Sequence, residues 1–377
     1  MAPEAPRGLE GVVVSETTVG DVRGLEGFFH YRQHSAVELA RHRSLEDVWY
    51  LLFDGALPEA GQSAEFAREV AGRRALPPGL ASVLPSLASV GTPLDVLRTA
   101  VSLLGAELGW EPTTDIDGDT LRRQATVLCA AVPTILTAAY RIRRGQEPVP
   151  PRSDLPAAAN YLWMLTGSEP RAEQARALEQ YLILTIDHGF NSSTFAARVI
   201  SSTGADLAAA VCGAVGALSG PLHGGAPSRA LAMLDDIGTP DRADAWIRQR
   251  IATGERIMGF GHRVYKTDDP RSVFLRQVAQ GIDAPLADFA CEVETTVVRL
   301  LAELKPGHQL YANVEFFAGV VMDTCGIPRD MFTPTFACSR VIGWATHVME
   351  QAGDNRLIRP MARYVGPPPP VPVPPAS

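Results

Sequence analysis

Residues 204–226 read Gly-Ala-Asp-Leu-Ala-Ala-Ala-Val-Cys-Gly-Ala-Val-Gly-Ala-Leu-Ser-Gly-Pro-Leu-His-Gly-Gly-Ala. Up to Leu218 these are mostly small apolar residues with a helical period. A helix of Ala and Gly lets its neighbours approach closely, so the pattern predicts a closely packed, buried helix. The remainder, Gly-Pro-Leu-His-Gly-Gly-Ala, ends that helix and sets the imidazole of His223 among residues that accept tight turns.

The flanking sequence extends the same reading. Beyond Ser35 the pattern is almost wholly helical. Ser44-Leu45-Glu46-Asp47 resembles a capping box and predicts a helix through Trp49, Leu51 and Leu52. Residues 119–144 form a long apolar-periodic segment in which Pro133 should kink or split the helix. Pro170 can open a helix over 170–187 and Gly189 can end it. Residues 226–237, 271–280 and 283–304 are amphipathic and more charged, and that shift marks a second, smaller domain. Residues 333–352 return to an apolar helix. Ahead of all this, residues 8–33 read as a short β ribbon, with Val12-Val13-Val14 and Phe28-Phe29-His30-Tyr31 as β-formers separated by Gly20 and Gly24. The repeated Gly-Leu-Glu-Gly at Gly8 and Gly24 reads as turn chemistry. The proline-rich tail, 366–377, reads as polyproline II or disorder.

The chain has 377 residues, 46% hydrophobic and 20% charged, which suits a large core. A net charge of −8 argues against non-specific nucleic-acid binding, so an anionic substrate needs a local arginine cluster. No uninterrupted apolar run approaches ~20 residues, the length of a membrane span. The N-terminus lacks the apolar stretch of a signal peptide. The five cysteines are widely spaced, with no Cys-x-x-Cys, and suggest a reduced cytoplasmic compartment with neither a disulfide framework nor a zinc site.

Three stretches carry chemistry. His223 lies in Gly-Pro-Leu-His-Gly-Gly-Ala, His262 in Gly-Phe-Gly-His-Arg-Val-Tyr, and Glu315 in Asn-Val-Glu-Phe-Phe-Ala-Gly. Two imidazoles and a carboxylate suffice to move protons at carbon and oxygen near neutral pH. His188 ends a helix at Asp-His-Gly. From spacing alone, each of these histidines can equally be structural. A metal site built from His188, His223, His262 and Glu315 is conceivable, but no local His-x-x-x-His or His-Glu-x-x-His pair anchors it. No Gly-Lys-Ser/Thr phosphate loop and no Gly-x-Ser-x-Gly elbow is present. Arg271, Arg340 and Arg359 could grip carboxylates with their bidentate forks.

Taken together, the motifs resemble the citrate synthase family over nearly the whole chain. The resemblance runs from Gly-Leu-Glu-Gly-Val-Val-Val-Ser-Glu-Thr at residue 8 through 188–199, 219–226 and 258–266, then Asp-Pro-Arg at 269–271. It continues through Met-Phe-Thr-Pro at 331–334 to Asn-Arg-Leu-Ile-Arg-Pro at 355–360. It implies a mainly α, two-domain helical homodimer that condenses acetyl-CoA with oxaloacetate. The large domain would comprise 1–224 and 327–365, the small one 225–326, with a cleft between them. The chain lacks the N-terminal extension of resembling NADH-regulated hexamers, so a dimer is expected. By position, His223 matches the donor to the thioester oxygen, His262 the group that polarises and protonates the ketone, and Glu315 the base. His188, Arg271 and Arg340 match ligands of oxaloacetate, Arg359 an arginine from the other subunit, and Lys266 a basic residue near CoA. No cofactor or metal is expected, because acetyl-CoA is a substrate.

One position departs from the family pattern. The usual stretch is Asn-Val-Asp, and here it is Asn-Val-Glu. The reference pKa values are similar, ~3.9 and ~4.3, so the acid–base chemistry survives. Reach changes by one methylene, ~1.5 Å. Some actinobacterial-like citrate synthase sequences look similar in carrying Glu here, which favours a compensating backbone. Propionyl-CoA, giving 2-methylcitrate, is the alternative substrate. A paralogue that binds oxaloacetate or CoA without chemistry is the third reading.

Overall fold

The computed structural model describes residues 6–223, 226–261, 264–265, 267–282, 285–304, 310–370 and 372–373. A small antiparallel sheet comes first, with β1 (Gly20–Arg23), β2 (Phe28–Tyr31) and β3 (His34–Ser35) in sequential order. Gly20 pairs with Tyr31 and Arg23 with Phe28, so the second Gly-Leu-Glu-Gly forms the hairpin turn. Sixteen α-helices follow among the described residues. They are α1 (Ala36–His42), α2 (Leu45–Asp54), α3 (Ala60–Gly72), α4 (Pro78–Val90), α5 (Pro93–Glu107), α6 (Gly118–Arg143), α7 (Ala157–Thr166) and α8 (Ala172–Thr185). Then come α9 (Ser192–Ser202), α10 (Leu207–Leu218), α11 (Ala226–Ile237), α12 (Pro240–Ala252), α13 (Pro270–Gly281), α14 (Pro285–Leu304), α15 (Val314–Thr324) and α16 (Phe332–Gly353).

Local signals set several of these boundaries. Ser44 caps α2 by accepting the Asp47 N–H, as the capping reading expects. Asn191 caps α9 through the Ser193 and Thr194 N–H groups, and Asn313 caps α15 through that of Glu315. Two expectations need correction. Val12–Val14 form no strand: they run as irregular backbone with Val13 87% exposed, because no neighbouring strand takes up their hydrogen bonds. Pro133 does not split α6, which continues from Gly118 to Arg143. One missing N–H is tolerated where α4, α5, α7 and α16 pack around the helix. Helix α12 falls in a stretch for which the sequence reading names no element.

The core centres on α6 and α16, which pack on each other. By length and composition α6 could cross a membrane, but 78% of its most apolar window is buried inside the protein. The Ala/Gly-rich α10 packs on α5, α9 and α16, as its composition predicts. A Cβ added at Gly213 would stand 2.1 Å from Ile200 Cδ1 of α9, and one at Gly105 of α5 would stand 2.6 Å from Ala208 Cβ. Helices α11 to α15 pack largely on one another, with α13 and α15 also touching α8. Helix ends from both groups meet at one cleft. They are the C-terminus of α8, the N-terminus of α9, the turn after α10, the N-termini of α13 and α15, and the body of α16.

Candidate active site

The cleft has a volume of about 1050 Å³, and its walls include His188, His223, Arg271, Glu315 and Arg340. Five sequence-selected residues, spread over some 150 positions of chain, therefore share one cavity. His262 and Lys266 lie outside the described residues. Arg359 is exposed on the segment after α16 and does not line the cleft of its own chain. Among the described residues, no three His, Cys, Asp or Glu side chains converge as metal ligands would.

Glu315 sits in the first turn of α15, and the ends of two other segments fix that turn. Gly259 and Gly261 both adopt positive φ, +81° and +85°, which glycine accepts without strain. A Cβ at Gly259 would also stand 3.0 Å from Phe316. The Gly-Phe-Gly stretch can therefore lie flat against residues 311–313. The Gly261 N–H donates to the Tyr311 carbonyl at 2.8 Å, and the Asn313 N–H to that of Gly259 at 2.9 Å. Asn313 Nδ2 donates to the Gly261 carbonyl at 3.0 Å. The residue preceding His262 is thus held beside the cap of the helix that carries Glu315. Asp269 adds a second tie, because it caps α13 and accepts the Val314 N–H at 3.0 Å.

The Glu315 carboxyl makes no hydrogen bond among the described residues, and burial pushes its pKa up to about 7 against the opposing pull of Arg271. A carboxylate that costs this much to ionise is a base matched to neutral pH. Arg271 is held by the buried Asp269, with Nε to Oδ1 at 3.0 Å and Nη2 to Oδ2 at 2.8 Å. Burial works to lower the Arg271 pKa, and Asp269 more than reverses this. Arg340 donates from Nε to the Thr185 carbonyl at 2.9 Å and stacks 4.5 Å over Phe336. Its pKa is lowered, first by burial, with Asp187 opposing. Two buried guanidinium groups, one from α13 and one from α16, thus line the cleft, and such groups can hold carboxylates.

His223 follows the turn that closes α10, its N–H donating to the Gly220 carbonyl at 3.0 Å. Nε2 lies 2.8 Å from Ser193 Oγ, and Trp344 Nε1 donates to the same Oγ at 3.1 Å. Burial, then repulsion from Arg340, lowers the His223 pKa to about 4, so the ring is neutral at physiological pH. His188 places Nε2 3.0 Å from the Tyr265 hydroxyl and packs edge-on against Phe29.

Several residues here escaped sequence reasoning. Ser193, Trp344 and Tyr265 orient the two histidines, and Asp269 orients Arg271. Ser193, Tyr265 and Asp269 left a local trace, as the second residue after the capping Asn191, as the end of Gly-Phe-Gly-His-Arg-Val-Tyr and as the acid before Pro270. Residues 8–12 were read as ribbon but border the cleft mouth, with Leu9 at φ +55°.

Comparison with known proteins agrees with this geometry. The family model described as citrate synthase, C-terminal domain, matches residues 8–361. The citrate synthase of Deinococcus radiodurans is 39% identical over 361 residues, 96% of this chain and 95% of that protein. A 2-methylcitrate synthase of Mycobacterium tuberculosis is 39% identical over 364 residues, 97% of this chain and 91% of that protein. The structure of citrate synthase from Thermoplasma acidophilum in ternary complex with carboxymethyl coenzyme A and oxaloacetate superposes with a TM-score of 0.90 at 30% identity, covering 98% of each chain. A cleft of buried arginines, a neutral histidine and a raised carboxylate, on a helical frame shared along almost its whole length, places the chain in the citrate synthase family.

Proposed function

We propose that the protein condenses acetyl-CoA with oxaloacetate to give citrate and free CoA. The observation that carries the reading is the pairing, in one cleft, of a carboxyl raised to about 7 with an imidazole lowered to about 4. The methyl group of a thioester is a very weak acid. Removing its proton needs a positioned base and a donor on the forming enolate oxygen. In this reading Arg271, Arg340 and His188 bind the two carboxylates of oxaloacetate. Glu315 takes a methyl proton while neutral His223 donates to the thioester oxygen. The enol carbon attacks the ketone, which His262 polarises and protonates, giving citryl-CoA. Water then cleaves the thioester, releasing citrate and the CoA thiol. Lys266 contributes positive charge near CoA. Residues 225–326 act as a small domain that closes on the large one and keeps water out until condensation is done.

Purified protein given both substrates should release free thiol, and a Glu315→Gln control should release almost none. Equal thiol release by the two proteins would reject the chemistry and favour a binding protein. The Mycobacterium relative keeps propionyl-CoA open as a substrate. One extra methylene in an apolar pocket is worth ~1–3 kcal/mol. The two specificity constants should therefore differ by no more than ~200-fold. A ratio favouring propionyl-CoA would reassign the protein as a 2-methylcitrate synthase.

The exposed Arg359, away from its own cleft, fits a cytoplasmic homodimer in which each subunit completes the partner's pocket. Mixing inactive Arg359→Ala with inactive His262→Ala subunits should then restore up to about a quarter of wild-type activity, since one of the two sites in each heterodimer is intact. No recovery after verified subunit exchange would remove Arg359 from the site.

A further inference from the structure

A chain of buried polar groups runs behind the cleft without lining it. Arg198 on α9, His347 on α16 and Asp187 after α8 are 3%, 1% and 2% exposed. Arg198 Nη1 lies 3.2 Å from His347 Nδ1, and His347 Nε2 lies 3.2 Å from Asp187 Oδ1. A guanidinium can only donate, so Nδ1 must accept. The single ring proton is then on Nε2 and is donated to Asp187. The other oxygen of Asp187 accepts the Gly189 N–H at 3.2 Å. Asp187 therefore spans His188, with one carboxylate oxygen tied to the residue after it and the other tied to α16. The same arginine reaches the N-terminal segment. Nη2 donates to Ser15 Oγ at 3.1 Å, Nε donates to Gln351 Oε1 at 3.0 Å, and Nη1 pairs with Glu350. Glu350 accepts from Thr17 Oγ1 at 2.8 Å and from the Thr18 N–H at 2.6 Å. Phe190, in the cleft wall, stacks 5.7 Å from Arg198 and edge-on to His347.

We propose that Arg198, His347 and Asp187 are positioning residues that set the direction of His188 and, through Ser15 and Glu350, fasten the N-terminal segment along the cleft mouth. The inference rests on reading His188 as a ligand of oxaloacetate. Apolar packing could hold α9 against α16, as it does α10 against α9, and a buried ionic chain is a weak source of stability. What this chain adds is direction: each link has one donor and one acceptor, so only one arrangement of the 187–189 turn satisfies all of them. Oxaloacetate then meets an imidazole already aimed, with Phe190 and the N-terminal segment fixed from the same arginine.

The test compares His347→Gln with His347→Leu in the full-length protein. Glutamine keeps one donor and one acceptor, whereas leucine keeps the approximate volume and neither. The readouts are oxaloacetate affinity by calorimetry, KM for each substrate, kcat and thermal midpoint. His347→Leu should weaken oxaloacetate binding and raise its KM by ~10–100-fold, the scale of a misplacement near 1 Å. kcat at saturation and the thioester KM should stay within ~3-fold, as expected for lost ground-state binding. His347→Gln should recover most of the oxaloacetate affinity. Unchanged affinity in His347→Leu would overturn the proposal, as would equal loss of kcat and both KM values in the two variants. If His347→Leu does not fold, Arg198→Lys serves: it keeps a cation for Glu350 but loses the fork to His347, and it should show the same split. An unchanged oxaloacetate KM in that variant would overturn the proposal equally. A wild-type protein that binds no oxaloacetate would overturn the functional reading as well, whereas failure confined to the variants overturns this inference alone.

Discussion

Glu315→Gln should lower kcat by ~10²–10⁴-fold, the range that a positioned general base contributes, and should leave oxaloacetate affinity nearly unchanged. The amide keeps the shape of the carboxyl but cannot take the methyl proton. In wild type the base works only when ionised. Because burial raises its pKa to about 7, kcat/KM for the thioester should fall as pH drops through that value. His223 titrates near 4, so it adds no second limb in this range. The same shift has a sign for stability. A carboxyl whose pKa rises from the ordinary 4.5 to about 7 on folding favours the folded state while protonated, and that contribution is lost as pH rises through this window. At pH 8 the ligand-free protein therefore carries a destabilising term of up to roughly 3 kcal/mol from this one group. Glu315→Gln should relieve it, so the variant should melt higher than wild type at pH 8 and the difference should shrink towards pH 5. A variant that is slow but melts no higher at pH 8 would mean that the carboxyl is solvated and its pKa ordinary. Glu315→Asp tests reach: a side chain shorter by ~1.5 Å, on a backbone suited to glutamate, should lose ~100-fold in kcat.

Much of the frame behind this carboxyl could be read in advance, and the reasons are local. Ser44 is a cap whose side chain bonds backbone three residues away, so the sequence window contains both partners; Asn191 and Asn313 cap α9 and α15 by equally local bonds that the sequence reading did not single out. The Ala/Gly pattern of α10 expresses packing in composition, since Gly213 exists to admit Ile200. His223, His188 and Glu315 stood out because each lies beside a helix end with turn residues around it. What escaped was whatever depends on a partner far along the chain. Trp344 reaches Ser193 across 151 positions, and His347 reaches Asp187 across 160. His347 in particular sits in an ordinary apolar helix, and nothing within its own window distinguishes it from a core residue. Val12–Val14 show the converse failure: three β-branched residues in a row suggest a strand, but a strand needs a neighbour, and none is within reach. The break expected at Pro133 fails for a related reason, because the packing that carries α6 through it comes from other helices, chiefly α4, α5, α7 and α16.

Replacing His223 by leucine should cost ~10²–10³-fold in kcat, the usual effect of removing one donor from a developing oxyanion. The size depends on which ring nitrogen carries the proton, and Ser193 decides that. Its hydroxyl has one proton and two nearby acceptors, His223 Nε2 at 2.8 Å and Asn191 Oδ1 at 2.8 Å. Asn191 Oδ1 already accepts the Ser193 and Thr194 N–H groups, each at 3.1 Å, as the cap of α9. His223 Nε2 has no other donor among the described residues. Trp344 supplies a hydrogen bond to Ser193 Oγ and can only donate, so the serine proton goes either to Asn191 Oδ1, with a His223 Nε2–H then donating to Ser193, or to His223 Nε2 itself. Given to Nε2, that proton forces the ring proton onto Nδ1, which in the proposed reading is the nitrogen that donates to the thioester oxygen. A neutral Nδ1–H donor matches an enol better than an imidazolium, which burial and Arg340 exclude at neutral pH. Ser193→Ala should therefore lower kcat by ~10-fold, less than His223→Leu, because the ring remains but loses the partner that selects its tautomer. Ser193→Thr, which keeps the hydroxyl, should recover part of that loss if the extra methyl is accommodated. A double variant, Ser193→Ala with His223→Leu, should be no slower than His223→Leu alone, since the serine acts through the imidazole. Multiplicative losses in the double variant would instead give Ser193 a contact of its own with the substrate.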